Sequence, residues 1–169
     1  IHDYYDMVES YLLDTPRDHL HFPCVTLGWD NTARRKHRAT IFAGYHPLLF
    51  LAWLKACERL SVSRNPQEHQ VIFINAWNEW GEGVYLEPDA LTGVLSLELV
   101  RAFKNSSSLS ESRQLFHKLA SSGQIRRSAV VDALPFVEHL ADDLDDLARR
   151  LTDPITKDRD WLEAEVRHY

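Results

Sequence analysis

Two short apolar runs, each closing on a loop that carries glycine and tryptophan, constrain this chain most. Phe22-Pro23-Cys24-Val25-Thr26-Leu27 leads into Gly28-Trp29-Asp30-Asn31-Thr32, and Val71-Ile72-Phe73-Ile74 leads into Trp77-Asn78-Glu79-Trp80-Gly81-Glu82-Gly83. Neither run alternates apolar with polar residues, so both read as buried strands. Between them Pro47 opens a helix at a position that needs no amide donor. Leu48, Leu51, Leu54, Lys55 and Glu58 give that helix an apolar stripe with polar relief, down to about Leu60. Tyr4, Met7, Val8, Tyr11 and Leu12 predict a helix over 3–13; Leu95, Leu99, Val100 and Phe103 predict another up to Asn105. The order helix, strand, helix, strand, helix implies an α/β fold of parallel βα units. Two such units cannot close a sheet. A full (β/α)8 barrel takes about 250 residues, so this would be under half of one. In such barrels the loops after the strands share one active face, and both tryptophan-bearing loops follow strands.

The rest of the chain carries weaker signals. Residues 33–46 are polar and basic and read as a long loop, and Ser61 to Gln70 reads as a polar connection. Ser106-Ser107-Ser108 reads as a linker, which divides the chain into 1–105 and a helical extension over 106–169. In that extension Val137, Leu140, Leu144, Leu147 and Leu151 form an a/d seam of about two heptads, less than the ~3–4 that argue a coiled coil. The seam predicts a helix laid against a neighbour; a helical partner or a fused domain reached through 137–151 is the alternative. Thr152-Asp153-Pro154 interrupts it, and Trp161 to Tyr169 reads as a further helix.

Composition excludes several classes of function. The 169 residues are 44% hydrophobic with a net charge of −6, and the basic residues are scattered apart from Arg34-Arg35-Lys36-His37-Arg38. A nucleic-acid partner is therefore not expected. No stretch approaches the ~20 apolar residues of a membrane span. Ile1-His2-Asp3-Tyr4-Tyr5 does not read as a signal peptide, and with no Met at position 1 the expectation is that residue 1 is not the natural start. Cys24 and Cys57, both in apolar surroundings, read as two buried thiols, which fits a cytoplasmic setting. The nine histidines show no paired ligand spacing, so no metal site is expected.

The second loop carries the chemistry. Two carboxylates three residues apart, flanked by indole rings and glycines, suit work on carbohydrate. One carboxyl must donate a proton to a leaving oxygen while the other stays ionised. Aromatic faces take the apolar face of a pyranose and exclude water. Glu79 and Glu82 are the candidate catalytic residues; Trp29, Asp30, Asn78, Trp80, Arg34 and Glu87 are candidate substrate-binding residues. Arg34 and Arg35 suit a phosphate or an acidic sugar, which a guanidinium grips in two places, although such a run also serves as a plain solvated loop.

The run Phe73-Ile74-Asn75-Ala76-Trp77-Asn78-Glu79-Trp80-Gly81-Glu82-Gly83, continued by Leu86-Glu87-Pro88-Asp89, resembles the WbsX-type family. Gly28-Trp29-Asp30-Asn31-Thr32 with Arg34-Arg35 resembles that family's second signature. Its members are described as glycosyltransferases of bacterial surface-polysaccharide synthesis, such as lipopolysaccharide O-antigen. They are related to glycoside hydrolase family 99, the endo-α-mannosidases and endo-α-mannanases. The resemblance covers roughly residues 1–105. It implies the C-terminal part of a (β/α)8 TIM-type barrel and an oligosaccharide or polysaccharide substrate. It also implies that Glu79 acts as a base on the sugar 2-hydroxyl, giving a 1,2-anhydro intermediate. Glu82 would protonate the leaving oxygen and then activate water, and no cofactor is needed. Gly81 stands where those hydrolases usually carry His. The alternative expectation is a non-catalytic glycan-binding or assembly module of a larger polysaccharide-synthesis protein.

Overall fold

A computed structural model describes residues 1–15, 19–90, 92–105, 109–121 and 134–153. In chain order the elements are β1 (His2–Asp3), α1 (Tyr4–Leu13), β2 (Cys24–Thr26), β3 (Trp29–Asp30), α2 (Thr32–Arg35), β4 (Ile41–Ala43) and α3 (Pro47–Arg64). They continue with β5 (Phe73–Asn75), β6 (Asn78–Glu79), β7 (Val84–Tyr85), α4 (Leu95–Asn105), α5 (Leu109–Ser121) and α6 (Leu134–Thr152).

The two strands expected to be parallel are so. β2 pairs with β5 in register Cys24 to Phe73, Val25 to Ile74 and Thr26 to Asn75, and α3 lies in the crossover between them. A second sheet has the order β1-β4-β3, with β1 parallel and β3 antiparallel to β4. β6 and β7 form a hairpin of their own. The fold is therefore mixed α/β, and the described residues contain no closed barrel.

Local chemistry sets the helix ends. The Asp3 carboxylate caps α1 by accepting the amides of Tyr5 (2.8 Å) and Asp6 (3.3 Å). Pro47 sits at the start of α3, where His46 Nδ1 accepts the Leu48 amide at 3.1 Å. α3 is buried almost all round from Pro47 to Cys57, so it is a central helix rather than the one-sided stripe its sequence suggested. Lys55 is buried with it. Its ammonium donates to Glu58 Oε2 and to the Phe103 carbonyl, each at 3.1 Å, and lies 4.6 Å from the centre of the Phe103 ring. One continuous core runs from Tyr4 and Val8 of α1 through α3 to Val137, Leu144 and Leu151 of α6. The 137–151 seam thus belongs to a helix laid on α3.

Four expectations need correction. Residues 33–46 are not one loop: they hold α2 and β4, and β4 is made by pairing with β1 and β3, partners distant in sequence. α3 continues four residues past Leu60 to Arg64, because Ser61 is buried and its carbonyl accepts the Asn65 amide. Cys24 is exposed and only Cys57 is buried. β5 is no fully buried strand either: Phe73 is 56% exposed, since among the described residues β5 has β2 alone as a strand partner. The Ser106-Ser107-Ser108 linker and the helix expected near Trp161 fall outside the described residues. No helix among the described residues is long and apolar enough to cross a membrane.

Candidate functional site

The motif after β5 is a tied hairpin. The chain leaves β5 through a cis peptide between Asn75 and Ala76. The Leu86 amide reaches the carbonyls of Ala76 and Trp77 (3.0 Å each), and the Glu87 amide reaches that of Trp77 (3.1 Å). These bonds close the base. The tip is a 3-10 turn over Trp80–Glu82, ended by Gly83 in the left-handed region at φ +65°. A side chain at Gly83 would be strained by that φ, and its Cβ would stand 3.4 Å from the Asp30 backbone nitrogen. Glycine therefore lets the hairpin and the end of β3 lie against each other.

The segment after β3 presents the cation. Asp30 Oδ1 accepts the Thr32 amide at 3.0 Å, and the buried Asn31 pins the start of the excursion to its end, its Oδ1 accepting the Thr40 amide at 2.8 Å. α2 then carries Arg34 onto the hairpin tip. One guanidinium spans both carboxylates: Arg34 Nη2 lies 3.1 Å from Glu79 Oε1, and Nη1 lies 3.2 Å from Glu82 Oε1. Glu82 is the more enclosed carboxylate, its side chain 17% exposed against 37% for Glu79. A Cβ at Gly81 would approach Arg34 Nε to 3.1 Å and Glu79 Oε1 to 3.5 Å. The absence of a side chain there is what gives the arginine room.

The aromatic residues form a second group. The Trp80 ring stacks on Tyr85 with centroids 3.6 Å apart and planes 15° apart, and Trp80 Nε1 donates to Glu87 Oε2 at 2.6 Å. Glu87 thus orients the indole. Trp77 and Trp80 each leave about half of their surface open to solvent. Asn78 is exposed on β6, opposite Tyr85. Trp29 is half-buried against Phe42. It lines, with Asp30, a pocket of about 390 Å³ that also takes in Tyr45, Gly83 and Tyr85. The hydrogen bonds from Thr32 hold the Asp30 carboxyl below the usual aspartate range, whereas burial raises the phenols of Tyr45 and Tyr85 and keeps them protonated donors. A larger hollow of about 650 Å³ lies along β1 and α1, lined by His2, Asp3, Asp6 and Met7 among others, and none of the motif residues line it.

The structure therefore gathers Glu79, Glu82 and Arg34 at one point, joins Trp80 to Glu87, and places Trp29 with Asp30 in the adjoining pocket. Sequence reasoning missed Tyr85, Tyr45, Asp89 and Thr92. Tyr85 stands two residues after Gly83, a spacing that returns a hairpin strand past its own tip; that signal was available. Tyr45 had none. Among the described residues no group of three metal-ligating side chains gathers.

Residues 1–100 match the family described as Glycosyltransferase WbsX. The protein WxcX of Xanthomonas campestris pv. campestris, itself uncharacterized, is 40% identical over 85 residues in strain B100 and again in strain ATCC 33913. That alignment covers 50% of this chain and 12% of the relative's length. No solved structure matches the chain significantly.

Proposed function

The chain belongs to the WbsX glycosyltransferase family, and from that premise we propose that it is part of a carbohydrate-active enzyme working on glycosidic bonds of a surface polysaccharide. Residues 1–105 would be a segment of a (β/α)8 barrel, with residues from 106 onward as a helical extension and the cytoplasm as the setting. The observation that supports this reading most is the convergence of Glu79 and Glu82 on Arg34, at 3.1 and 3.2 Å, in a hairpin that follows a parallel strand. Glu79 takes the proton of the sugar 2-hydroxyl as that oxygen bonds to the anomeric carbon and displaces the leaving oxygen, and gives it back when the incoming hydroxyl reopens the 1,2-anhydro ring. Glu82 gives a proton to the leaving oxygen and then takes one from the incoming hydroxyl. Hydrolysis and transfer differ in whether that hydroxyl belongs to water or to an acceptor sugar. Arg34 holds both carboxylates in the free protein, so substrate must draw it away from Glu82 before that proton can move. Trp80, oriented by Glu87, offers its open face to a sugar ring.

A second reading, a non-catalytic glycan-binding or assembly module, is favoured by one feature of the same site. Arg34 ion-pairs with both carboxylates in the free protein, which a binding surface tolerates and an acid–base step must first undo.

The test uses the full-length parent protein with surface-glycan oligosaccharides, with and without sugar nucleotides, and follows products by mass spectrometry. Shortened glycans without a sugar nucleotide identify a hydrolase; lengthened glycans only with one identify a transferase. Either activity should fall by about 10²-fold or more in Glu82→Gln, the usual contribution of a general acid–base group. Unchanged turnover in Glu82→Gln refutes the catalytic assignment. Glycan binding without any product moves the reading to the second alternative.

A further inference from the structure

The basic run from Arg34 to Arg38 is the part of the motif region that the carboxylate chemistry leaves unused. It lies on the excursion between Asn31 and Thr40. That excursion is closed at its base by the Thr40 amide on Asn31 Oδ1 (2.8 Å) and the Asn31 amide on the Thr40 carbonyl (3.3 Å). Within it the Arg38 amide donates to the Arg35 carbonyl at 2.7 Å. The run therefore turns back on itself and keeps its cations together, with α2 against the Trp80–Glu82 turn. Every residue from Thr32 to Arg38 is exposed.

Its ion pairing differs from that of the chain's other arginines. Arg59, Arg101, Arg113 and Arg149 each sit on a carboxylate. Among the described residues, the side chains of Arg35, Lys36 and Arg38 pair with none, although the chain carries a net charge of −6. Arg34 is the exception within the run, its guanidinium shared between Glu79 and Glu82. One member of a cationic cluster thus holds the carboxylate pair, while three neighbours lack a counter-ion among the described residues.

That division has a chemical consequence. Arg34 must leave Glu82 before that carboxyl can pass a proton. The hydroxyls of a neutral sugar do not compensate a guanidinium that gives up two carboxylates. An oxyanion does, because it accepts two parallel N–H bonds and carries the opposite charge. The bonds to be given up are weak ones: the Arg34 side chain is 55% exposed, and exposed ion pairs contribute little individually. An oxyanion held among the unpaired cations competes with the carboxylates at short range, where salt does not screen it.

We propose that Arg34 is an anion-operated latch. A carboxylate or phosphate group carried on the glycan docks on Arg35, Lys36 and Arg38, draws Arg34 off Glu79 and Glu82, and so frees the pair only when an acidic glycan is in place. The inference rests on the glycosidic reading of the pair. It adds the charge of the substrate and the order of events, anion docking before proton transfer.

The experiment is an NMR titration of the 169-residue chain that follows the Arg34 Nε–H signal at constant ionic strength. The probes are methyl glucuronide for a carboxylate, glucose 1-phosphate for a phosphate, and methyl glucoside as the neutral match. At least one anionic probe should move the signal saturably, and the one that does identifies the source of the anion. The neutral glycoside should leave it in place. The triple variant Arg35→Ser, Lys36→Ser, Arg38→Ser changes exposed side chains alone. It should keep the melting curve and the free-state Arg34 signal, yet bind the anion about tenfold more weakly, the combined effect of three exposed charge contacts. An Arg34 signal that neither anion moves overturns the proposal. So does equal movement by the neutral glycoside, or unchanged anion affinity in the triple variant. Turnover in the full-length parent keeps the two claims apart. Turnover lost in Glu82→Gln, with an Arg34 signal deaf to both anions, leaves the glycosidic reading standing and overturns the latch alone. An anion that moves Arg34 in a parent that processes no glycan supports the release step and overturns the glycosidic reading.

Discussion

Gly81 decides whether the carboxylate pair and its arginine can meet. With a methyl group there, the nearest neighbour would be Arg34 Nε at 3.1 Å, and the guanidinium would have to give way. Gly81→Ala should therefore loosen the clamp while changing stability by no more than about 1 kcal/mol, the usual worth of exposed ion pairs. The check is the Arg34 side-chain NMR signal, which should lose its restricted, ion-paired character while the melting curve stays in place. Asp30 offers a second test at this scale. Its carboxyl is held below the ordinary aspartate value of 3.8, chiefly by the Thr32 amide. A depressed folded value means that the turn is supported above the unfolded value and loses that support as pH falls through the folded one. The Thr32 amide shift should therefore stay constant down to about pH 4, where unperturbed Asp titrates, and move below it. Asp30→Asn should remove that movement. The glutamate pair and Trp80 were legible because carboxylates flanked by indoles and glycines are rare in plain loops. The arginine clamp was not, since Arg34 lies more than forty positions upstream in a run that reads equally well as a solvated loop.

At the scale of elements, α3 organises everything else, with α1, α4, α5, α6 and β2 all laid against it. Phe50, Leu51 and Leu54 are buried to within about one per cent. Phe50→Ala should cost about 3–5 kcal/mol and Leu144→Ala about 2–5 kcal/mol, as for other large-to-small core changes. Both are read as lowered denaturant midpoints with unchanged slope. A Leu144→Ala loss below about 1 kcal/mol would mean that α6 is only loosely seated on α3. Helices α1, α4 and α6 were legible from spacing, α4 to the residue at both ends, because a buried face forces a 3.6-residue period; the four-residue α2, which buries no side chain, was not. β4 and β7 were not: two- and three-residue strands are made by partners elsewhere in the chain, and their sequences carry no period.

At the scale of the molecule, the family likeness and the core have different limits. The match ends at residue 100, yet the core continues through α6. Val137, Leu144, Leu147 and Leu151 are all buried in the same cluster as Tyr4 and Trp53. Each such side chain contributes about 1.5–3 kcal/mol when fully buried. Together they approach the whole stability margin of a typical domain, about 5–15 kcal/mol. Cutting the chain after residue 105 would also uncover the face of α3 that α6 occupies. The 1–105 segment should therefore lose its cooperative melt and bind hydrophobic dyes, while the 169-residue chain unfolds in one transition. A sharp two-state melt of the shorter segment would show instead that the family-like part holds its own core. The seam at 137–151 would then be free for a partner, the alternative its two heptads left open.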